Sequence, residues 1–174
     1  MNKLNQKLLQ FQLEQNFAYE DYFVSGCNHF AFSFIESWPK WEKNILNIYG
    51  DKFSGKSHLS EIFKKKHKAI IIKTEEINND FFNKIRFREN IILDNMEYVS
   101  DEKILYSIFN FTEQYNKYLI INSINPINSL DFSLPDLKSR LKNCIFAKID
   151  KRDDDMIFAF ILKHFSDRQI KIEK

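Results

Sequence analysis

The sequence predicts an α/β domain in which a five-stranded parallel sheet is flanked by helices, and three observations lead there. Short β-rich runs alternate with longer amphipathic stretches from about residue 21 onward, the pattern of strands joined by helical crossovers. A glycine-containing turn, Gly50-Asp51-Lys52-Phe53-Ser54-Gly55-Lys56-Ser57, falls between the first strand candidate and the helix after it. The chain has 174 residues, 44% hydrophobic and 16% aromatic, enough for one sizeable core and one domain.

Taken in order, the strand candidates are 45–49, 69–73, 90–93, 118–122 and 144–149. Between them the apolar spacing predicts helices at 56–66, 101–115 and 153–165, each opened by a polar or acidic first turn. A shorter helix is expected at 134–141, where Pro135 suits a first helical position, and another at 77–85. Residues 1–20 are rich in Asn, Gln and Glu and read as a flexible N-terminal arm, so that the folded domain spans 21–174.

Charge and composition exclude several classes. With 26 Lys+Arg against 24 Asp+Glu the formal charge is only +2 and the signs are interspersed, which argues against a dedicated surface for direct sequence-specific DNA binding. The basic run Lys64-Lys65-Lys66-His67-Lys68 reads as a solvated helix C-terminus, where cations offset the dipole. Cys27 and Cys144 fit no metal-ligand spacing and are too few for a disulfide framework, so both are expected as buried thiols. No apolar run approaches the roughly 20 residues that span a bilayer, and no secretory signal is recognisable, so no membrane association and a cytoplasmic location are expected.

The turn at Gly50 to Ser57 matches G-x-x-x-x-G-K-[ST], and its chemistry explains its spacing. Glycines allow the backbone to fold so tightly that its N–H groups and the helix N-terminus converge on phosphates. Lys56 would reach the β- and γ-phosphates, and Ser57 would ligate Mg²⁺; His58 follows on the same helix. Ile91-Ile92-Leu93-Asp94 is an apolar strand ending in a carboxylate, suited to holding Mg²⁺ indirectly from behind Ser57. The next residue is Asn95, which hydrogen-bonds but accepts no proton as a base, so slow intrinsic ATP hydrolysis, if any, is expected. Glu97 could replace that missing carboxylate, but reads better as a solvent-facing loop acid. Asn122, at the end of the strand at 118–122, is either a polar sensor of the γ-phosphate or a cap for the turn toward Pro126.

With these elements in hand, the chain resembles the DnaA-related AAA+ proteins, specifically the short Hda-like branch that inactivates the replication initiator. Tyr22-Phe23-Val24-Ser25-Gly26 with Asn28 is similar to that family's opening segment, which implies that Tyr22, Phe23 and Val24 lie over the adenine. Trp38-Pro39-Lys40-Trp41, Gly55-Lys56-Ser57-His58-Leu59, Asp94-Asn95-Met96-Glu97 and Leu134-Pro135-Asp136-Leu137-Lys138-Ser139-Arg140-Leu141 resemble stretches of the inactivators. The last of these implies that Arg140 is an arginine finger acting in trans; from the residues alone it reads as a helix-end salt bridge within its own subunit. Gln6-Lys7-Leu8-Leu9-Gln10-Phe11 is similar to the peptide by which bacterial proteins dock on the sliding clamp, with Gln6, Leu9 and Phe11 as its contacts. Ile124 stands where initiators carry a charged neighbour of the sensor, and relatives continue past Asp167-Arg168-Gln169 into a helical lid, so a core lacking that lid is expected.

The resemblance implies ADP or ATP with Mg²⁺ as cofactors and implies DnaA and the polymerase III sliding clamp (beta subunit) as partners, and it leaves a homodimer open. The function it implies is stimulation of ATP hydrolysis by DnaA to repress re-initiation. An autonomous ATPase and a non-hydrolysing adaptor are the other two readings.

Overall fold

The computed structural model describes residues 17–77, 81–98 and 101–167. Its centre is a five-stranded sheet of β1 (Ile45–Tyr49), β2 (Ile70–Lys73), β3 (Asn90–Asp94), β4 (Tyr118–Ser123) and β5 (Ile145–Lys148), in the order β2-β3-β4-β1-β5 with every neighbour pair parallel. Among the described residues six α-helices accompany it: α1 (His29–Ser37), α2 (Lys56–His67), α3 (Phe81–Ile85), α4 (Glu102–Gln114), α5 (Pro135–Lys142) and α6 (Asp154–Asp167). The five strands coincide with the expected runs to within two residues at each end.

The inner strands read as unbroken apolar runs because both faces are covered. On one face Ile91, Leu93, Leu119 and Ile121 pack against Phe81 and Ile85 of α3, Leu105, Ile108 and Phe109 of α4, and Leu137 and Leu141 of α5. On the other, Leu46, Ile48, Ile92, Ile120 and Ala147 meet Ala31 and Ile35 of α1 and Leu59, Ile62 and Phe63 of α2. The alternation of Ile91, Ile92 and Leu93 between the two clusters is the period-2 geometry of a strand.

α1 has no counterpart among the expected elements. Phe30, Phe32 and Phe34 alternate with Ala31 and Ser33, a strand-like period that conceals a helix whose buried residues, Ala31 and Ile35, are four apart. Of the helix expected at 77–85, Phe81–Ile85 is helical and Ile77 is not, residues 78–80 lie outside the described residues, and a 3₁₀ turn is formed at Thr74–Glu76. Among the described residues, Phe17 and Ala18, within the expected arm, touch the domain. The Phe17 ring packs edge-on against His58 at 5.3 Å, and the Ala18 carbonyl lies 2.9 Å from His58 Nε2.

At the amino end of the sheet Trp38 and Trp41 enclose Phe63, with His67 and Tyr118 completing the cluster, and Trp41 Nε1 donates to the Phe34 carbonyl at 2.7 Å. Cys27 and Cys144 are both buried and free, and burial pushes the Cys144 thiol up to about 12. Among the described residues no helix is long and apolar enough to cross a membrane.

Candidate functional site

β1 lies between β4 and β5, so the turn that leaves its carboxyl end is flanked by the ends of both neighbours. The Gly50 N–H donates to the Ser123 carbonyl at 3.2 Å, and the Ile149 N–H donates to the Tyr49 carbonyl at 2.8 Å. A β-carbon at Gly50 would sit 2.5 Å from the Ile149 carbonyl oxygen, so only glycine fits this crossing. Gly55 is left-handed at φ 101°, which turns the chain into α2 with no side chain capping its first N–H groups. Those N–H groups and the helix dipole form an anion-accepting end. At the tip Phe53 is also left-handed (φ 64°) and 87% exposed.

Lys56, in the first turn of α2, folds over this loop. Its Nζ donates to the carbonyls of Gly50 at 2.7 Å and Asp51 at 2.8 Å and to Ser54 Oγ at 3.3 Å. Burial pushes its ammonium below the usual lysine value, against the opposing pull of Glu97, Asp94 and Asp51. Ser57, one residue on, donates its hydroxyl to Asp94 Oδ2 at 3.2 Å, and Asn122 Nδ2 donates to Asp94 Oδ1 at 2.9 Å and to Ser60 Oγ at 2.7 Å. One carboxylate at the end of β3 thus joins α2 to the end of β4. Asn122 does not cap the turn toward Pro126; Asn47 does the equivalent work from inside β1, its Oδ1 accepting the Ile127 N–H at 3.0 Å.

Asn95 and Glu97 bond to different neighbours. Asn95 is left-handed (φ 62°) and its amide turns outward to Glu75 at 3.4 Å. Glu97 is exposed as expected, yet its carboxylate accepts the N–H of Ile124, the first residue after β4.

Beside the loop opens a cavity of about 250 Å³, walled by Asp21, Tyr22, Phe23, Asn28, Ser54, Gly55, His58 and, from α6, Met156, Ala159, Phe160 and Lys163. Of the residues singled out by sequence, Tyr22, Phe23, Asn28, Ser54, Gly55 and His58 line it; Val24, Gly50, Asp51, Lys52, Phe53, Lys56, Ser57, Asp94 and Asn122 do not. Tyr22 stacks on Phe32 at 5.7 Å and meets His58 edge-on at 5.1 Å, and burial holds its phenol well above the usual tyrosine value. Asn28 fixes the segment, accepting the Ser25 N–H and donating to the Phe23 carbonyl, both at 2.9 Å.

The α6 wall was not foreseen. Asp153 caps this helix by accepting the Met156 N–H at 2.8 Å, and its other oxygen accepts the Cys27 N–H at 3.2 Å, which docks the helix against the opening segment. These N–H donors hold the Asp153 carboxyl below the usual range, the Met156 bond foremost. Lys163 pairs with Asp21 at 3.2 Å, and Arg152 donates to the Phe53 carbonyl at 2.5 Å while lying over Phe160 at 4.9 Å. The Asp at 153 ahead of an apolar helix was the available signal; that the helix would face the loop was not legible.

These residues fit a nucleotide and its metal. Tyr22 Oη and Asn122 Oδ1 are buried polar atoms without a hydrogen-bond partner, one beside the cavity and one behind the loop. Mg²⁺ takes one or two protein ligands alongside phosphate oxygens and water, and a hydroxyl backed by a carboxylate, Ser57 with Asp94, is such a donor set.

Arg140 lies elsewhere. In the last turn of α5 it forms an ion pair with Glu113 of α4, with its guanidinium 5.5 Å from the centre of the Tyr106 ring. The Glu113 bond raises its already high pKa. Its carbonyl accepts from Cys144 Sγ at 3.7 Å, at the amino start of β5, whereas the loop follows Tyr49, which pairs with Lys148 at the other end of β5. A strand of that length separates the two by on the order of 13 Å. Gln6, Leu9 and Phe11 lie outside the described residues.

Solved structures share this fold. A DNA replication initiation factor superposes with a TM-score of 0.78 at 20% identity, over 94% of this chain and 58% of the other. AMPPCP-bound DnaA from Aquifex aeolicus gives 0.76 at 20% identity, over 94% and 59%, and domain III of DnaA from Thermotoga maritima gives 0.73 at 17%, over 94% and 79%. The chain spans about three fifths of the first two, and the likeness shows that it shares the core fold of these structures. No protein-family model and no curated protein matches the sequence.

Proposed function

We propose that this chain is a DnaA-related regulator of the Hda-like kind, which binds ADP or ATP with Mg²⁺ and offers Arg140 to a neighbouring ATP-loaded DnaA. The nucleotide reading is supported by the joined set of Lys56, Ser57, Asp94 and Asn122 at the ends of β1, β3 and β4. In it Ser57 holds the metal with Asp94 behind it, the N-terminus of α2 receives the phosphates, and Tyr22, Phe23 and His58 border the base. When bound, Mg²⁺ neutralises charge on the phosphates. Similarity to AMPPCP-bound DnaA supports the choice of an adenine nucleotide.

The single observation that carries the regulatory reading is the place of Arg140, at the end of the sheet opposite its own phosphate loop. From there it serves another subunit's nucleotide or none. Its pair with Glu113 is exposed on the acid's side, and such surface pairs contribute only about 0–1 kcal/mol, so exchanging Glu113 for a γ-phosphate costs little. An arginine finger contributes about 10³ to 10⁵ in rate where measured in other systems. In the same reading the arm at 1–20 docks on the sliding clamp through Gln6, Leu9 and Phe11, and the protein works in the cytoplasm.

ATP turnover by DnaA, measured with clamp, DNA and this chain, tests the proposal. Arg140→Ala is expected to abolish stimulation while leaving ADP affinity unchanged by calorimetry; undiminished stimulation would falsify the finger. A wild-type chain silent toward ADP would favour a non-hydrolysing adaptor instead.

A further inference from the structure

We propose that Glu97, in place of the residue directly after Asp94, is the carboxylate this chain directs at water beside the terminal phosphate, making it a slow ATPase in its own right. The proposal rests on the nucleotide-binding reading above and adds to it a reaction at the chain's own site.

Four observations support it. The side chain after Asp94 is withdrawn: Asn95 is left-handed, its carbonyl accepts the Thr74 hydroxyl at 2.5 Å, and its amide engages Glu75, all on the side of β2's exit. The 3₁₀ turn Met96–Tyr98 follows, anchored by Met96, which is 1% exposed. From this turn Glu97 reaches the N–H of Ile124, at the end of the neighbouring strand β4. Ile124 follows Ser123, whose carbonyl accepts the Gly50 N–H, so the carboxylate is anchored one residue from the base of the phosphate loop. It is also the foremost acidic influence on Lys56, ahead of Asp94 and Asp51.

A carboxylate held by one N–H keeps its other oxygen open to water. In the step this permits, a water oxygen bonds to the γ-phosphorus as the bond from that phosphorus to the β,γ-bridging oxygen breaks. ADP leaves with that bond's electron pair, and the water proton passes to Glu97 and then to phosphate. Glutamine at 97 keeps the bond to Ile124 and loses the base.

The test compares wild type, Glu97→Gln and Glu75→Gln with Mg²⁺ present. Calorimetry with ADP and AMPPCP is expected to show that all three bind nucleotide, because neither change touches the phosphate-binding N–H groups. Single-turnover hydrolysis of bound ATP should fall by about 10²-fold or more in Glu97→Gln and stay within about threefold in Glu75→Gln. Nucleotide extracted from Glu97→Gln after incubation should remain ATP where wild type yields ADP. Equal rates in wild type and Glu97→Gln, no turnover by wild type, or loss of ADP binding in Glu97→Gln would each overturn the role of Glu97. Failure of wild type to bind ADP at all would instead remove the nucleotide reading beneath it.

Discussion

Two lysines mark the two ends of the sheet. At the amino end Lys117 donates to the carbonyls of Arg86 at 2.9 Å and Arg88 at 2.7 Å and lies over Phe111 at 5.4 Å. At the carboxyl end Lys56 donates to the carbonyls of Gly50 and Asp51 at nearly the same distances. Burial pushes both ammoniums below the usual lysine value. The difference is in what surrounds them. Lys117 is 7% exposed, beside the chain ends that start β3 and β4, whereas Lys56, in the first turn of α2, folds over a loop whose neighbours include exposed Ser57 and a cavity. The same bond is structural where nothing can replace the carbonyls and exchangeable where phosphate oxygens can.

That contrast predicts which substitutions act on the fold and which on the ligand. The largest effect belongs to Phe63→Ala in the aromatic cluster at the amino end, expected to cost about 3–5 kcal/mol in denaturant unfolding. Its nucleotide affinity, measured well below the denaturation midpoint, should be unchanged. Lys117→Met comes next, at about 1–3 kcal/mol, because two part-buried carbonyls lose their donor. Lys56→Ala should reverse the pattern, with stability within about 0.5 kcal/mol of wild type and ADP affinity lower by roughly 10- to 100-fold. A Lys56→Ala chain that unfolds as readily as Lys117→Met would erase the distinction.

The smallest effect sharpens it through pH. Burial holds the His58 imidazole below its ordinary value, with the Ala18 carbonyl opposing. The unfolded chain therefore takes up a proton there first as pH drops. The stability contributed by neutral His58 is present above pH about 6.5 and is lost as pH falls through the lower, folded value. Between pH 7.5 and 5.5 the melting temperature of wild type should fall about 1–3 °C further than that of His58→Gln. His67 is shifted in the same direction but is common to both proteins, so it cancels in the difference.

Much of this was legible in the chain because the signals were local. Gly50, Gly55, Lys56 and Ser57 announce a phosphate loop by identity and spacing, and Ile91 to Asp94 announces a strand buried on both faces that ends in an acid. What escaped depends on how distant segments meet. The alternation of Phe30, Phe32 and Phe34 imitates a strand until α2 supplies the surface that Ala31 and Ile35 bury against. Met156, Ala159, Phe160 and Lys163 become cavity walls only because Asp153 ties α6 to Cys27, more than a hundred residues earlier. The reach of Glu97 to Ile124 likewise depends on a turn and a sheet register that no spacing encodes.

Both tryptophans of the chain, Trp38 and Trp41, belong to the cluster around Phe63. Indole emission is therefore a reporter confined to one half of the molecule. It should follow global melting closely and stay blind to titration with ADP, whereas a tryptophan placed at Phe23 would make occupancy of the cavity directly visible.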